Sequence, residues 1–147
     1  MDKNTLIILT ADHGEMLGEH NIYFNHYGGY EENIRVPLII RFPPLFPKGK
    51  VISRQVSLID IAPTILEIAG LNKPFYMQGE SLLAFFKHTY NYQTKYIFSF
   101  SHYQHALRNE NWKLIRKGKV RYELYNLKDD PREQHNLITK DHINLNS

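Results

Sequence analysis

Residues 4–9, "NTLIIL", run directly into "TADHGEMLGEH". The first stretch is apolar and rich in branched side chains, and it predicts a strand over residues 5–10 that is buried on both faces, as in parallel sheets covered by helices. Such a strand cannot stand alone, because it needs neighbours on its edges and cover on both sides. It ends in Asp12, His13 and Gly14. The residues alone leave two readings of that triplet open. Asp12 can cap a helix beginning near Gly14. Alternatively, Asp12 and His13 are metal ligands on the loop at the carboxyl end of the strand, where open α/β sheets place their sites.

Beyond the triplet, a loop rich in Gly and His covers about residues 13–30, with one helical turn expected around Glu15–Gly18. "RVPLIIRFP", residues 35–43, predicts a second buried strand through Val36, Leu38, Ile39 and Ile40, ended by the prolines at 43, 44 and 47. "SLIDIAPTILEIAG", residues 57–70, predicts a helix with Asp60 as N-cap, Pro63 in the first turn and Gly70 as the left-handed stop. A shorter helix is expected at 80–88. From residue 94 the segments "KYIFSF", "HALRN", "WKLIRK" and "YELYNL" are short, aromatic-rich and separated by "NEN" and "KGK". They predict an antiparallel meander, followed by an irregular tail at "KDDPREQHNL". The expected organisation is an α/β part over 1–90 and a small antiparallel subdomain with its tail over 91–147.

With 42% hydrophobic and 22% charged residues, the 147-residue chain has the composition of a folded globular protein. The net charge of +3 is too mild for a nucleic-acid footprint. Basic residues cluster only in "KLIRKGKVR", residues 113–121, where a solvated hairpin is expected. No stretch approaches the roughly 18 apolar residues of a membrane span, and "MDKNTLIILT" lacks the pattern of a signal peptide. Neither nucleic acid nor membrane is expected as a partner. The absence of cysteine excludes disulfides, thiolate metal sites and a thiol nucleophile.

Taken together, "NTLIILTADHGEMLGEHNIYFNHYGGYEENIRVPLIIRFP", "SLIDIAPTILEIAG" and "ALRNENWKLIRK" with "YELYNLKDDPREQHNL" resemble the C-terminal portion of a sulfatase, within the alkaline-phosphatase-like superfamily. The resemblance spans nearly all of residues 3–138. It implies an α/β fold: the C-terminal part of an alkaline-phosphatase-like sandwich, a parallel-sheet fragment with helices, plus a small C-terminal antiparallel sheet. It also implies a divalent metal, calcium first, with manganese or zinc as alternatives. Asp12 and His13 match the family's later pair of metal ligands. The Asp12 carboxylate suits a hard cation, whereas an imidazole suits zinc or manganese better. His26, four positions before Tyr30 and Glu31, matches the basic residue that holds the substrate's sulfate. On the residues alone it can equally be a loop histidine bonded to backbone. His20 either orients the metal ligands or pins the loop, and Glu31 and Arg35 are expected in structural ion pairs.

The chain departs from the family pattern at the nucleophile. Sulfatases use a formylglycine made from Cys or Ser in a Cys/Ser-x-Pro-x-Arg motif. None of the serines here, at 53, 57, 81, 99, 101 and 147, begins such a motif, and the early aspartate pair is also missing. The resemblance therefore implies a sulfuric ester hydrolase fragment with half of a metal site and a sulfate-binding histidine. Its formylglycine and its partner would lie in a missing N-terminal half, and the chain alone is expected to be inactive. The alternatives are a phosphodiester or phosphonate hydrolase of the same superfamily, for which His102 and His105 are the nearest further histidine ligands, and a non-catalytic fragment or interaction module.

Overall fold

The computed structural model describes residues 3–86, 96–101 and 103–138. Contacts divide it into two compact units, one drawn from residues 1–7 and 40–94 and the other from 8–39 and 95–147. The second unit is discontinuous in sequence, so the loop after the first strand belongs with the C-terminal meander.

Strand β1 (Ile7–Thr10) is the hydrogen-bonded neighbour of a later strand (Leu38–Arg41, β4 in chain order). Both are shorter than the apolar runs that encode them. Pro37 stands immediately before the later strand and has no N–H to join the ladder. Leu9 and Ile39 are 55% and 61% exposed, so strands apolar on both faces are not fully covered by this chain.

No helical turn forms at residues 15–18. Instead β2 (Met16–Leu17) pairs antiparallel with β3 (Tyr23–Asn25). Gly18 stands at φ +140°, and the Glu19 carboxylate accepts the Leu17 N–H at 2.7 Å, which takes that donor out of any helical ladder. A 3-10 turn at Glu19–Asn21 joins the two strands, with His20 and Asn21 at positive φ. One turn of helix, α1 (Glu31–Ile34), follows the Gly28–Gly29 pair.

In the unit holding residues 40–94, α2 (Ile61–Ile68) is preceded by a 3-10 turn at Leu58–Asp60 and ends at Gly70, which has the expected positive φ. Asp60 stands at the anticipated N-cap position of α2, but its side chain makes no cap bond there. Its own backbone is already helical, and its buried carboxylate reaches back to the Ser57 N–H and across to the Glu80 N–H, both at 2.9 Å. The Thr64 hydroxyl donates to the Asp60 carbonyl and accepts the Leu82 N–H, so α2 and the 79–82 segment are tied by buried polar bonds. The helix expected at 80–88 is a 3-10 turn at Leu82–Phe86, and residues 87 and 88 lie outside the described residues.

The meander forms as anticipated: β5 (Ile97–Ser101), β6 (Gln104–Arg108), β7 (Trp112–Lys117) and β8 (Arg121–Asn126) make a four-stranded antiparallel sheet in sequence order. Ala106, Ile115 and Tyr125 of one face, with Leu127 beyond β8, pack on Met16 and Tyr30 to make the core. Gly29 lies flat on this face. A Cβ there would come within 3.1 Å of Ile115 and 3.2 Å of Ala106. Its N–H donates to Gln104 Oε1 at 3.0 Å.

Beside the apolar core runs a buried layer of charge. The alternation of β7 puts Lys113 on the covered face with Ile115, so the expectation of a solvated basic hairpin fails at Lys113, whose side chain is fully buried. Its Nζ pairs with Glu31 at 2.8 Å and with Glu133, also fully buried, at 2.7 Å. Glu133 accepts the Glu31 N–H through its other oxygen at 2.7 Å, and Arg108 lies 3.4 Å from Glu31. Glu31 is thus structural, as expected, while Arg35 is exposed. Next to this group Lys117 pairs with Glu123 at 2.6 Å and bonds the Tyr30 hydroxyl, and the Tyr30 and Tyr125 hydroxyls donate to Glu123 at 2.8 and 3.0 Å. Burial raises the Glu123 carboxyl, but the bonds from Lys117 and Tyr30 outweigh it and hold the group below its ordinary value.

His20 stacks on Tyr30 at 3.7 Å, with its Nε2 3.7 Å from Glu32. Of the two sequence-level readings of His20, its contacts match the pin. Burial lowers its pKa, with Lys117 and Lys113 acting in the same sense and Glu32 and Glu123 opposing.

Two outcomes follow from this layer. Replacing Lys113 by Met leaves two carboxylates buried against each other, and urea unfolding should show a loss of about 3–5 kcal/mol. The double variant Lys113→Met/Glu133→Gln should recover part of that loss. For His20 the folded pKa lies below the unfolded one, so its contribution to stability is present above the ordinary histidine value and fades as pH falls through the depressed one. Unfolding curves at pH 7.5 and 5.5 should therefore show acid destabilisation that His20→Gln reduces.

Candidate metal and anion site

At the end of β1 the chain passes through Thr10 and Ala11 into Asp12, which is exposed and caps no helix. The Asp12 Oδ1 accepts the N–H of His13 at 3.0 Å, which holds the carboxylate beside the ring. Its Oδ2 lies 3.8 Å from His13 Nε2, close enough for both to contact one cation. His13 Nδ1 is 2.8 Å from the Gly14 carbonyl. A carbonyl only accepts, so Nδ1 carries the hydrogen and Nε2 presents its lone pair. This pairing of one ring nitrogen with a carbonyl is how metal-binding histidines are commonly oriented.

The glycine of the triplet has a steric reason. A Cβ on Gly14 would lie 1.8 Å from the Glu32 carbonyl oxygen. The Gly14 N–H donates to the Asn33 carbonyl at 2.8 Å, so the loop bearing Asp12 and His13 is docked on the backbone of α1.

His26 reaches the same place from the end of β3. Its ring stacks on His13 with centroids 4.5 Å apart and 19° between planes, and Tyr27 flanks its other contacts at 4.4 Å. The Nδ1 of His26 is 3.7 Å from Glu15 Oε2, and both side chains are 41% exposed. Within β3, Phe24 stands at φ +49°, after His20 and Asn21 at similar values in the preceding 3-10 turn. Three non-glycine residues in the left-handed region cost of order 1–3 kcal/mol each. That strain is held by the packing of His20 on Tyr30 and of Met16 in the core.

His13 therefore contacts both Asp12 and His26, and Glu15, which sequence reasoning passed over, joins His26. The only sequence signal for Glu15 is its place two residues after His13. His105 is elsewhere, edge-on to Phe98 and Phe100 on the sheet face, and belongs to no metal-ligating cluster among the described residues. His102 lies outside the described residues. Asp12 and His13 fit a shared divalent cation as two of its ligands. Calcium takes 6–8 oxygen donors, so this pair supplies part of a shell.

Because Gly14 admits no side chain, Gly14→Ala must push the triplet off α1. The expected result is a loss of about 1–3 kcal/mol in chemical denaturation, the usual cost of overpacking. Broadened or shifted His13 and His26 resonances in histidine-selective NMR would report the displaced loop.

Residues 18–145 match the family described as N-sulphoglucosamine sulphohydrolase, C-terminal. The chain is 35% identical to N-acetylglucosamine-6-O-sulfatase of Bacteroides thetaiotaomicron over 93% of its own length and 27% of that protein. It superposes with a TM-score of 0.72 and 31% identity on BT4656, solved with its substrate D-glucosamine-2-N,6-O-disulfate, covering 92% of this chain and 30% of that one. The phosphonate monoester hydrolase of Agrobacterium radiobacter is similar at 26% identity and a TM-score of 0.75, over 91% and 31% of the two chains. The chain thus spans about three-tenths of the length of these relatives, and its architecture is that of the alkaline-phosphatase-like fold in its C-terminal part. The chain belongs to the sulfatase family, and it corresponds to the C-terminal sulfatase domain.

Proposed function

We propose that this chain is the C-terminal part of an enzyme that hydrolyses sulfate esters, contributing Asp12 and His13 to a divalent-metal site and His26 to the sulfate. The observation that carries the reading is the cluster at the end of β1, where His13 stacks on His26 and the Asp12 carboxylate lies beside the His13 ring. Calcium is the first candidate for the cation, with manganese and zinc as alternatives. When bound, the cation would supply Lewis-acid polarisation of the sulfate and stabilise the nucleophile.

The residues of this chain have separable tasks. Asp12 offers negative charge to the cation, and the Gly14 carbonyl keeps His13 in the tautomer that presents Nε2. His26 donates a hydrogen bond to a sulfate oxygen and, when protonated, offsets charge that builds on the sulfuryl group. The loop bearing His26 is braced by β2, β3 and the stack of His20 on Tyr30, so the donor is placed before substrate arrives. The formylglycine nucleophile and the remaining metal ligands belong to an N-terminal half, which we propose as the physical partner of residues 1–90. Exposed Leu9 and Ile39 on the paired strands supply apolar surface for it.

A phosphonate or phosphodiester hydrolase is the second reading, favoured by the likeness to phosphonate monoester hydrolases. The matching family model and the sulfatase relatives favour the first.

The test supplies an N-terminal sulfatase half carrying the formylglycine in trans. Expected outcomes are no turnover of an aryl sulfate by the 147-residue chain alone, turnover with the added half, and a fall of at least about a hundredfold on Asp12→Asn, as for other groups that stabilise transition-state charge. Glucosamine 6-sulfate is the next substrate to assay. Turnover of a phenyl phosphonate but no sulfate ester would select the second reading. No association with any N-terminal half would select a non-catalytic module.

A further inference from the structure

We propose that His13, Glu15 and His26 form a binding site for a divalent cation of the zinc class, distinct in its donor set from the Asp12–His13 pair. One ligand atom from each of the three lies within 4.8 Å of the other two. Two imidazoles and one carboxylate suit zinc and its first-row neighbours. They are a poor match for calcium, which takes six or more oxygens.

Three features of the site favour such a cation. His13 already donates Nδ1–H to the Gly14 carbonyl at 2.8 Å, which leaves Nε2 as a ligand and orients the ring. Glu15 Oε2 sits 3.7 Å from His26 Nδ1, a pair that a metal can enter by taking one donor from each. The side chains of His13, Glu15 and His26 are 46%, 41% and 41% exposed, so an ion can reach them and a water can fill a fourth position. The other cluster of this kind among the described residues, His20, Glu32 and Glu133, differs in the one respect that matters: Lys113 already holds Glu133 at 2.7 Å, and its ammonium repels a cation there.

The site shares His13 with the expected hard-cation pair and His26 with the proposed sulfate contact. An ion held by His13, Glu15 and His26 and that arrangement therefore exclude each other. Binding itself does not depend on what His26 does in catalysis, because the readout is metal affinity.

The 147-residue chain is titrated with zinc by calorimetry and with cobalt as a spectroscopic stand-in, whose visible absorption reports nitrogen ligands and low coordination number. Wild type is compared with Glu15→Gln, His26→Gln and Asp12→Asn. Thermal melts check that each is folded, and the exposure of the three side chains makes that the expected result. The proposal requires one zinc per chain that excess calcium does not displace, a loss of affinity of at least about tenfold in Glu15→Gln and in His26→Gln, and a smaller change in Asp12→Asn. It is overturned if zinc does not bind, if the Glu15 and His26 variants bind it as tightly as wild type, or if Asp12→Asn weakens binding as much as they do, which would place the ion on the Asp12–His13 pair.

Discussion

The ammonium of Lys113, buried between Glu31 and Glu133, is the contact on which the site-bearing unit depends. It joins three pieces of chain that are far apart in sequence: α1, the start of β7 and the segment after β8. A buried ion pair adds little net stability over an apolar substitute, because both partners lose their water. Its effect here is on geometry. Glu133 accepts the Glu31 N–H while Lys113 holds both carboxylates, so α1 has one allowed position over the sheet. An apolar contact of the same area would tolerate sliding that this arrangement forbids.

That position passes to the site through backbone rather than side chains. The Asn33 carbonyl at the end of α1 accepts the Gly14 N–H, and the absence of a Cβ at Gly14 lets the two backbones touch. From the other side, Gly29 rests on Ile115 and Ala106, which brings the His26 segment down onto the same sheet. The triplet and His26 are thus both referenced to the face of β6 and β7. This explains why the loop bearing the candidate site forms one unit with the C-terminal meander.

The donor set that results is mixed. Asp12 alone favours a hard cation, while His13, Glu15 and His26 favour a borderline one. Further oxygen ligands beside Asp12 would tip the balance towards calcium.

Local order was legible in the residues. The strand before the triplet, the helix ended by Gly70, the four-stranded meander and the placement of Asp12 and His13 just past a strand all follow from periodicity and turn chemistry within a few residues. The motifs, in their order, also named the family. What depended on distant partners was not legible. Lys113 looks like one cation in a basic hairpin until strand register turns it inward to meet Glu31 and Glu133, far away in sequence. The expected turn at residues 15–18 became a strand because Met16 is buried with Tyr30 against Ile115 and Tyr125. Glu15 entered the site for the same reason, since only the folded chain brings the end of β3 to the start of β2. Sequence determined which elements form, because their causes are local. Tertiary structure decided which charges are buried and which donors meet, because those energies depend on groups that come together only when the sheet and its covering loop close on one another.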